Sequence, residues 1–251
     1  MTVTVAPEIF AKFPDLEVGL VFVRGLDNLG TDREIEAYFR HVLLEAGLLL
    51  KLKPIEKDPS ILLLREKLSA MGAAEAVSSV EALLLEFAAG IEREKEADET
   101  FAPGKTVGLI GLSALSRETP VMDLVRAASL ESRLPVLAFA ADRQEELALR
   151  EAQDGDKFPV ETGDEAVPTG EPVWAFPKTI SVRHLFGKQG AAGRVTAETR
   201  NLVLAVPCFA ASRRRAMSVR NELARRLLDS FGRDTETGWL SADASSFVSE
   251  K

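Results

Sequence analysis

The sequence predicts an α+β fold in which a mixed sheet packs against helices, and two observations support this fold class. Apolar runs of strand length are interspersed irregularly with helical stretches, which differs from the strict strand–helix alternation of an α/β protein. At 251 residues, with 46% hydrophobic and 28% charged residues, the chain has the composition of a globular protein with a sizeable core. We expect a single domain over residues 1–251. In it, residues 1–70 supply a strand and helices, and residues 240–251 form a frayed tail.

The N-terminal part predicts one buried strand followed by three helices. The apolar run from Leu16 to Arg24 has the length of a strand, and the glycines that follow it indicate a turn. Two of the helices begin with capping boxes, at Thr31 and at Ser78, because each of these residues is followed three positions later by a glutamate. Between them, a helix follows Asp58-Pro59-Ser60 and ends at Met71-Gly72.

The third of these helices runs into a strongly charged segment, Ile91 to Thr100. We interpret this segment as a solvated helix end that leads into a loop. Thr106 to Gly111 is interpreted as a short strand beyond it. Pro103-Gly104-Lys105-Thr106 mimics the end of a phosphate-binding loop, but Glu99 stands where that motif needs its first glycine, so no nucleotide site is predicted.

A helix–strand–strand unit from Pro120 to Phe158 is the centre of the predicted fold. Pro120 suits the first turn of a helix, where its missing N–H costs nothing. Pro135 ends that helix, because the residue before a proline is pushed out of the helical region. Val136 to Ala141 is an apolar run of strand length, and Glu146 to Ala152 alternates apolar and charged residues as a half-buried strand does.

The C-terminal part predicts further strands, a glycine-rich loop and a last helix. In order, these are the strands Glu171 to Phe176 and Thr179 to Arg183, the glycine-rich loop Gly187 to Gly193, a turn capped by Thr196, the strand Leu202 to Val206, and the helix Ser212 to Phe231. Gly232 is expected to cap that helix. We expect the strands around residues 136–141, 147–151, 171–176 and 202–206 to lie in one sheet system.

Charge, cysteine and histidine content argue against several classes of function. The formal net charge of −8 disfavours a general nucleic-acid-binding protein, and no DNA partner is expected, because phosphate binding needs a positive surface. The single cysteine, Cys208, suits a reducing, cytoplasmic compartment and is expected to be a small core residue. His41 and His184 have no other ligands at metal-binding spacing, so neither a metal site nor a cofactor is expected. The sequence shows neither an apolar stretch long enough to span a membrane nor a signal-peptide pattern, so no membrane partner is expected.

Several short motifs occur in an order that resembles one known family. They are Pro-Val-x-Asp-Leu from Pro120, Leu-Pro-Val-x-Ala-Phe from Leu134, Leu-x-Leu-Arg-x-Ala-x-x-Gly-Asp from Leu147, Pro-x-Gly-Glu-x-Val from Pro168, and Val-Thr-x-Glu-Thr-x-Asn from Val195. This order resembles the editing module of the phenylalanyl-tRNA synthetase beta subunit, the B3/B4 domain, which also occurs as free-standing bacterial proteins. The match extends over about residues 71–232. It implies an editing-module (B3/B4-like) fold with a pocket that hydrolyses the aminoacyl ester of a mischarged tRNA.

The sequence departs from that family at the positions of the editing pocket. The family's histidine position is Leu137 here, its glutamate position falls near Ala191, its asparagine position is Arg126, and its final aspartate position is Ala140. Ester hydrolysis needs a positioned water and a group that polarises or deprotonates it. With leucine and alanine at two of these positions, the obvious groups for that chemistry are missing.

The residues therefore leave two functional hypotheses open, which share one pocket between the helix–strand unit and the glycine-rich loop. In the first, the protein hydrolyses misacylated tRNA in trans, with Asp123 and Glu171 as the catalytic candidates. In the second, the pocket binds a small amino-acid-like molecule without turnover. In either case, polar contacts are expected from four residues: Ser79, Gln189, Gly190 and Thr199.

The last predicted helix carries the strongest basic feature of the chain. Arg215 and Arg226 are 11 positions apart, close to three helical turns, and so share a face. One interpretation is a solvated helix face; the other is a stripe that contacts tRNA phosphates. The tRNA-binding candidates are Arg213, Arg214, Arg215, Arg220 and Arg226.

Overall fold

The computed structural model describes residues 1–30, 32–52, 54–97 and 114–250, and for residues 51, 52 and 95–97 it describes the backbone alone. Within these ranges the helices are α1 Pro7–Lys12, α2 Arg33–Leu52, α3 Pro59–Ala70, α4 Ser79–Ala97, α5 Pro120–Ser132 and α6 Arg213–Phe231. The strands are β1 Thr2–Val5, β2 Leu16–Val23, β3 Leu137–Ala140, β4 Glu146–Glu151, β5 Phe158–Val160, β6 Gly163–Glu165, β7 Pro172–Phe176, β8 Thr179–Val182, β9 Leu202–Phe209, β10 Thr235–Leu240 and β11 Ser246–Val248.

The strands form two main sheets and a hairpin. One sheet has the order β11-β1-β4-β7-β8, the other has the order β10-β2-β9-β3, and β5 pairs with β6. The first sheet is mixed, because β1 pairs with β4 in parallel while all the other strand pairs of this sheet are antiparallel. Helices α2, α4, α5 and α6 pack against one another, and α6 packs on β2, β9 and β10. The predicted α+β fold, a mixed sheet packed with helices, is confirmed.

Helix α5 lies at the centre of the helical layer. It contacts α2, α4, α6 and the edge strand β3, and 11 of its 13 residues are buried. The Thr119 side chain accepts a hydrogen bond from the Met122 N–H at its start, with Pro120 in the first turn, and Arg133 ends it in the left-handed region at φ 57°. The two prolines thus delimit the helix as predicted.

The prediction of one sheet for the four central strands is wrong. β3 and β9 do pair, with Leu137 opposite Ala205, but β4 and β7 belong to the other sheet. The reason is the N-terminal strand β1, which the sequence did not indicate. It inserts beside β4 in parallel register, with Val3 opposite Leu147, so β4 cannot return alongside β3.

The prediction of a frayed tail over residues 240–251 is also wrong for its central part. Ser246–Val248 forms β11 and pairs with β1, with Phe247 opposite Val3. The Phe247 ring stacks on Phe22 with centroids 5.3 Å apart. One aromatic side chain in a polar segment thus anchors the chain end. A single apolar residue shows no periodicity, so the sequence pattern does not reveal this strand.

Most of the predicted helix ends agree with the structure. α6 ends at Gly232 with φ 60°, and the Ser78 hydroxyl accepts a hydrogen bond from the Glu81 N–H at the start of α4. Thr31, predicted to cap α2, lies outside the described residues; the neighbouring Asp32 carboxylate accepts from the Ile35 N–H at 2.8 Å. The short strand predicted over residues 106–111 also lies outside them.

Among the described helices, none combines the length and the apolar character that crossing a membrane would require.

Candidate functional site

A cavity of about 560 Å³ opens between α4, α5, the start of β3 and the loop after β8. This volume falls within the range typical of small-molecule sites. Its lining residues are Ala76, Val77, Ser79, Ala82, Leu83, Glu86, Glu118, Met122, Val125, Arg126, Ser129, Val136, Leu137, Arg183, His184, Gly187, Lys188 and Gln189. The cavity therefore lies between the helix–strand unit and the glycine-rich loop, where the sequence predicted a pocket.

One wall of the cavity is apolar because two helices turn the same kind of face towards it. Leu83 on α4 and two residues of α5 that are one helical turn apart, Met122 and Val125, supply apolar side chains to this wall. Leu137, at the start of β3, completes this wall and is only 3% exposed. This position, where the family that the sequence resembles carries histidine, is here part of an apolar surface.

Arg126 lies at one end of the cavity with its side chain only 8% exposed. Its guanidinium donates to the Ser116 carbonyl at 2.7 Å, to Glu118 Oε1 at 3.3 Å and to Glu86 Oε1 at 3.2 Å. A buried charge is stable only when it is paired, and these contacts pair it. Two carboxylates and one guanidinium leave this end with a formal excess of negative charge.

The other end of the cavity is formed by the loop of residues 183–189, which presents basic side chains. Arg183 donates to both oxygens of the Glu171 carboxylate, at 2.8 and 2.6 Å. Lys188 Nζ donates to Glu165 Oε1 at 2.5 Å. Glu171 and Glu165 pair with these two cations but do not line the cavity. The cavity surface at this end is therefore basic, although the four charges together sum to zero.

This loop holds two residues in a backbone conformation that side chains rarely adopt. His184 has φ 51° and Leu185 has φ 66°, each left-handed and each worth about 1–3 kcal/mol of strain. The loop is pinned by a Leu185 N–H bond to the Pro172 carbonyl at 3.0 Å, and by the Trp174 indole N–H bond to the Leu185 carbonyl at 2.8 Å. The surrounding structure thus imposes a fixed position on the His184 side chain.

The His184 imidazole is in an unusual environment for a cavity wall. Its Nδ1 is buried without a hydrogen bond and lies 3.4 Å from Glu171 Oε1, while the side chain as a whole is 18% exposed. We infer that Nε2 is left to face the cavity. Burial lowers the pKa of His184 below its ordinary value of 6.5; Glu171 opposes this shift and Arg183 adds to it. The ring is therefore uncharged at neutral pH.

Two of the polar residues predicted from the sequence line this cavity. Ser79 lies at the first position of α4, and its hydroxyl oxygen is buried without a hydrogen-bond partner. The Gln189 side-chain N–H donates to the Ala138 carbonyl on β3 at 2.9 Å, which ties the glycine-rich loop to the edge of the sheet. Gln189 thus shapes the cavity by holding the loop against β3.

The other predicted polar residues lie outside the cavity lining. Asp123 is 1% exposed, accepts from Arg117 Nε at 2.7 Å and from the Glu118 N–H, and so fixes the segment that carries Glu118. Glu171 lies behind Arg183 and His184. Gly190 is a packing position, since a Cβ there would lie 2.6 Å from the Pro159 carbonyl oxygen.

Thr199 and Ala191 line a different cavity, of about 320 Å³, formed by the turn after β3 and by the segment from the end of the glycine-rich loop to Thr199. The Thr199 hydroxyl accepts from the Thr196 N–H at 2.9 Å and closes the predicted turn. Leu137 and Ala191, which lie at or near the positions where the family that the sequence resembles carries histidine and glutamate, therefore face separate cavities. The segments that carry them are adjacent, since the Ala140 N–H donates to the Gly193 carbonyl at 2.8 Å, but the two residues line different cavities.

The five predicted tRNA-binding arginines do not form one surface. Arg213 pairs with Glu17, and Arg220 donates to the Gly238 carbonyl and lies 5.4 Å from the Trp239 ring. Arg226 lies on another side of α6, 3.5 Å from the centre of the Tyr38 ring. Among the described residues, Arg214 and Arg215 have no hydrogen bond, ion pair or ring contact within the protein. These two guanidinium groups are therefore the ones of the five without a competing partner in the described part of the chain, whereas Arg213 is paired although 55% exposed.

The cavity residue that sequence reasoning does not single out is His184, which the sequence presents only as a possible metal ligand. The sequence signal for it is weak, because its left-handed backbone and its contact with Glu171 follow from tertiary packing. Cys208 agrees with the sequence prediction: it is buried in β9, and burial raises the pKa of its thiol to about 12.

Comparison with solved structures gives a weak structural likeness. An N-terminal fragment of the phenylalanyl-tRNA synthetase beta subunit from Pyrococcus horikoshii is similar with a TM-score of 0.40 and 12% sequence identity. The similarity covers 93% of this chain and 49% of that chain, so this chain spans about half the length of the fragment. No protein-family model matches the sequence, and no curated protein matches it.

Proposed function

We propose that the protein binds a small amino-acid-like molecule in the cavity between α4, α5 and the loop of residues 183–189. The observation that carries this proposal is the arrangement of charge around one apolar wall. Glu86 and Glu118 give one end an excess of negative charge, and the loop presents Arg183 and Lys188 at the other. A ligand with an ammonium group, a carboxylate and an apolar side chain complements all three surfaces.

The ammonium group of such a ligand fits the end at Arg126. Glu86 and Glu118 are half exposed, at 52% and 51% of their side-chain area, so a ligand can reach them without opening the core. Each carboxylate has acceptor positions beyond the one that Arg126 uses. Hydrogen bonds between charged groups are worth about 1.5–3 kcal/mol each, which is enough to select a charged amine over a neutral group.

The experiment is a thermal-shift screen with each of the twenty standard amino acids. We expect at least one amino acid with an apolar side chain to raise the melting temperature in a concentration-dependent way. Ala82→Phe, which places a ring in the cavity from an exposed position of α4, should abolish the shift. Leu85→Phe is the matched control, because it adds a ring to the same helix at an exposed position that does not line the cavity.

A second candidate function is hydrolysis of misacylated tRNA by a B3/B4-like domain. It is supported by the order of the sequence motifs and by the cavity's position between the helix–strand unit and the glycine-rich loop. His184 supplies an imidazole to that cavity although the family's histidine position is Leu137. The divided arginines of α6 and the net charge of −8 weigh against a tRNA partner.

Deacylation of a mischarged tRNA, measured with and without His184→Asn, tests this second candidate. Turnover by the wild-type protein that the variant loses would support hydrolysis. Absence of turnover, together with a positive amino-acid screen, would leave the binding function alone.

A further inference from the structure

We propose that His184 contacts the anionic group of the bound ligand and takes up a proton when the ligand binds. This inference rests on the proposed function, because it assigns the ligand's carboxylate to the loop of residues 183–189. It goes beyond that function by making binding proton-linked and by assigning the linkage to a single side chain.

The position of the ring is the first argument. His184 lines the cavity, and the hydrogen bonds of Leu185 and Phe186 fix the backbone on its C-terminal side. Phe186 does so through its carbonyl, which accepts from the Ser79 N–H of α4 at 2.8 Å. The backbone that carries the imidazole is therefore fixed at the cavity wall, and a ligand anion beside Lys188 meets Nε2.

The unpaired Nδ1 is the second argument. A buried nitrogen without a hydrogen bond is costly, and neutral imidazole offers only one donor for its two nitrogens. The protonated ring has a donor on each nitrogen. Nδ1–H then faces Glu171 Oε1, now 3.4 Å away, and Nε2–H faces the ligand carboxylate. Protonation thus gives the ring a carboxylate as ion-pair partner on each side, but only when an anion is present in the cavity.

The charges that face His184 from its surroundings explain why the free protein leaves it neutral. Glu171, before β7, is engaged by both donors of Arg183 at the end of β8. Lys188 in the same loop is bonded to Glu165 of β6, which also lies 3.8 Å from Arg183. These pairs largely cancel, so burial decides the protonation state. A ligand carboxylate adds a negative charge that is not yet balanced.

The direction of the pH dependence follows from this balance. An added anion favours the charged form of the ring, so ligand binding raises the pKa of His184. Between the pKa of the free protein and that of the complex, binding takes up a proton, and affinity rises as the pH falls. Below the pKa of the free protein, the ring is already charged and the uptake vanishes.

The test uses the fact that the chain has only two histidines. The imidazole signals of His41 and His184 are followed by NMR from pH 5 to pH 8, in the free protein and with the amino acid that stabilises it most. The His41 side chain is 63% exposed and lies outside the cavity, so it serves as the internal reference. His41→Gln assigns the two signals. We expect the ligand to raise the pKa of His184 by at least one unit and to leave His41 unchanged.

Calorimetry with the same amino acid and with its amide, which lacks the carboxylate, gives a second readout. Titrations at pH 6 in phosphate and in Bis-Tris, which differ in protonation enthalpy, should show proton uptake with the amino acid and none with the amide, whose amine is already protonated at that pH. His184→Asn, whose side chain tolerates the left-handed backbone, should bind without uptake. The NMR titration of the wild-type protein decides the matter if that variant does not fold.

The outcomes separate this inference from the proposed function. Binding of an amino acid without a change in the pKa of His184 would overturn the inference and leave the binding function in place. If none of the twenty amino acids binds, both are overturned together.

Discussion

Arg126 is a buried charged side chain that lines the cavity and that the core must accommodate with paired charges. Burying a guanidinium requires paired charges, and an apolar side chain of similar volume would need none. Arg126 is held by the Ser116 carbonyl and by two half-exposed carboxylates, all of which water can reach when the arginine is absent. Its presence in a helix buried on nearly every side is therefore better explained by the cavity than by stability.

We expect Arg126→Met to change the free energy of unfolding by less than about 1 kcal/mol, because methionine fills similar volume and leaves no buried group unpaired. The measurement is urea denaturation followed by circular dichroism. Leu124→Ala, in the same helix at a fully buried apolar position, is the control and should cost about 2–5 kcal/mol. A loss above about 3 kcal/mol for Arg126→Met would show that the arginine is structural.

His184 makes a second prediction at this scale, through the pH dependence of stability. Its pKa in the folded protein lies below the ordinary value of 6.5. Between these two pKa values the unfolded chain binds more protons than the folded protein, so His184 makes stability fall as the pH drops below 6.5.

His184→Asn should reduce this decline between pH 7.5 and pH 5, and His41→Gln should not. Urea midpoints measured across that range check both variants. An unchanged pH profile in His184→Asn would show that the imidazole is as easily protonated in the folded protein as in the unfolded chain.

At the scale of elements, the sequence predicted those whose ends are marked by local chemistry. Pro120 and Pro135 delimit α5, and Gly232 ends α6, because these residues restrict or permit backbone angles by themselves. The strands β1 and β11 were missed because four and three residues are too few to show an apolar period. Their pairing with each other depends on the whole fold.

The same difference between local patterns and tertiary packing explains which residues of the candidate site could be predicted from the sequence. Ser79 lies in the predicted capping box and Gln189 in the predicted glycine-rich loop, and both line the cavity as expected. Arg126 was noted only as a departure from that family. His184 became recognisable through its fixed loop and its contact with Glu171, which no local pattern encodes.

The strand β11 supports a prediction about the chain end. Phe247→Ala should lower the free energy of unfolding by about 1–3 kcal/mol, because it removes a ring stacked on Phe22 and packed over Gly238. Val248→Ala is the matched control in the same strand; its side chain is 64% exposed, and the change should cost less than about 0.5 kcal/mol. Equal free energies of unfolding for Phe247→Ala and the wild-type protein would contradict this prediction and would support a frayed tail.

For the molecule as a whole, the distribution of charge bears on tRNA binding. The net charge is −8, and three of the five predicted arginines of α6 are engaged within the protein. We expect tRNA to bind weakly at low salt and not at physiological salt.

Filter binding over a salt series measures this. If tRNA does bind through α6, Arg214→Ala combined with Arg215→Ala should reduce the salt slope by about one per lost contact, and Arg220→Ala should leave it unchanged. Tight binding that persists at physiological salt would contradict the expectation and would favour the tRNA hydrolase.

The central claim is that one cavity recognises both ends of an amino-acid-like ligand. Isothermal titration calorimetry with the best amino acid from the screen, its N-acetyl derivative and its amide tests it most directly. Blocking either end removes a charged hydrogen bond worth about 1.5–3 kcal/mol, so each derivative should bind at least about tenfold more weakly. Equal affinity for the amino acid and both blocked forms, or no binding by any of the three, would contradict the account.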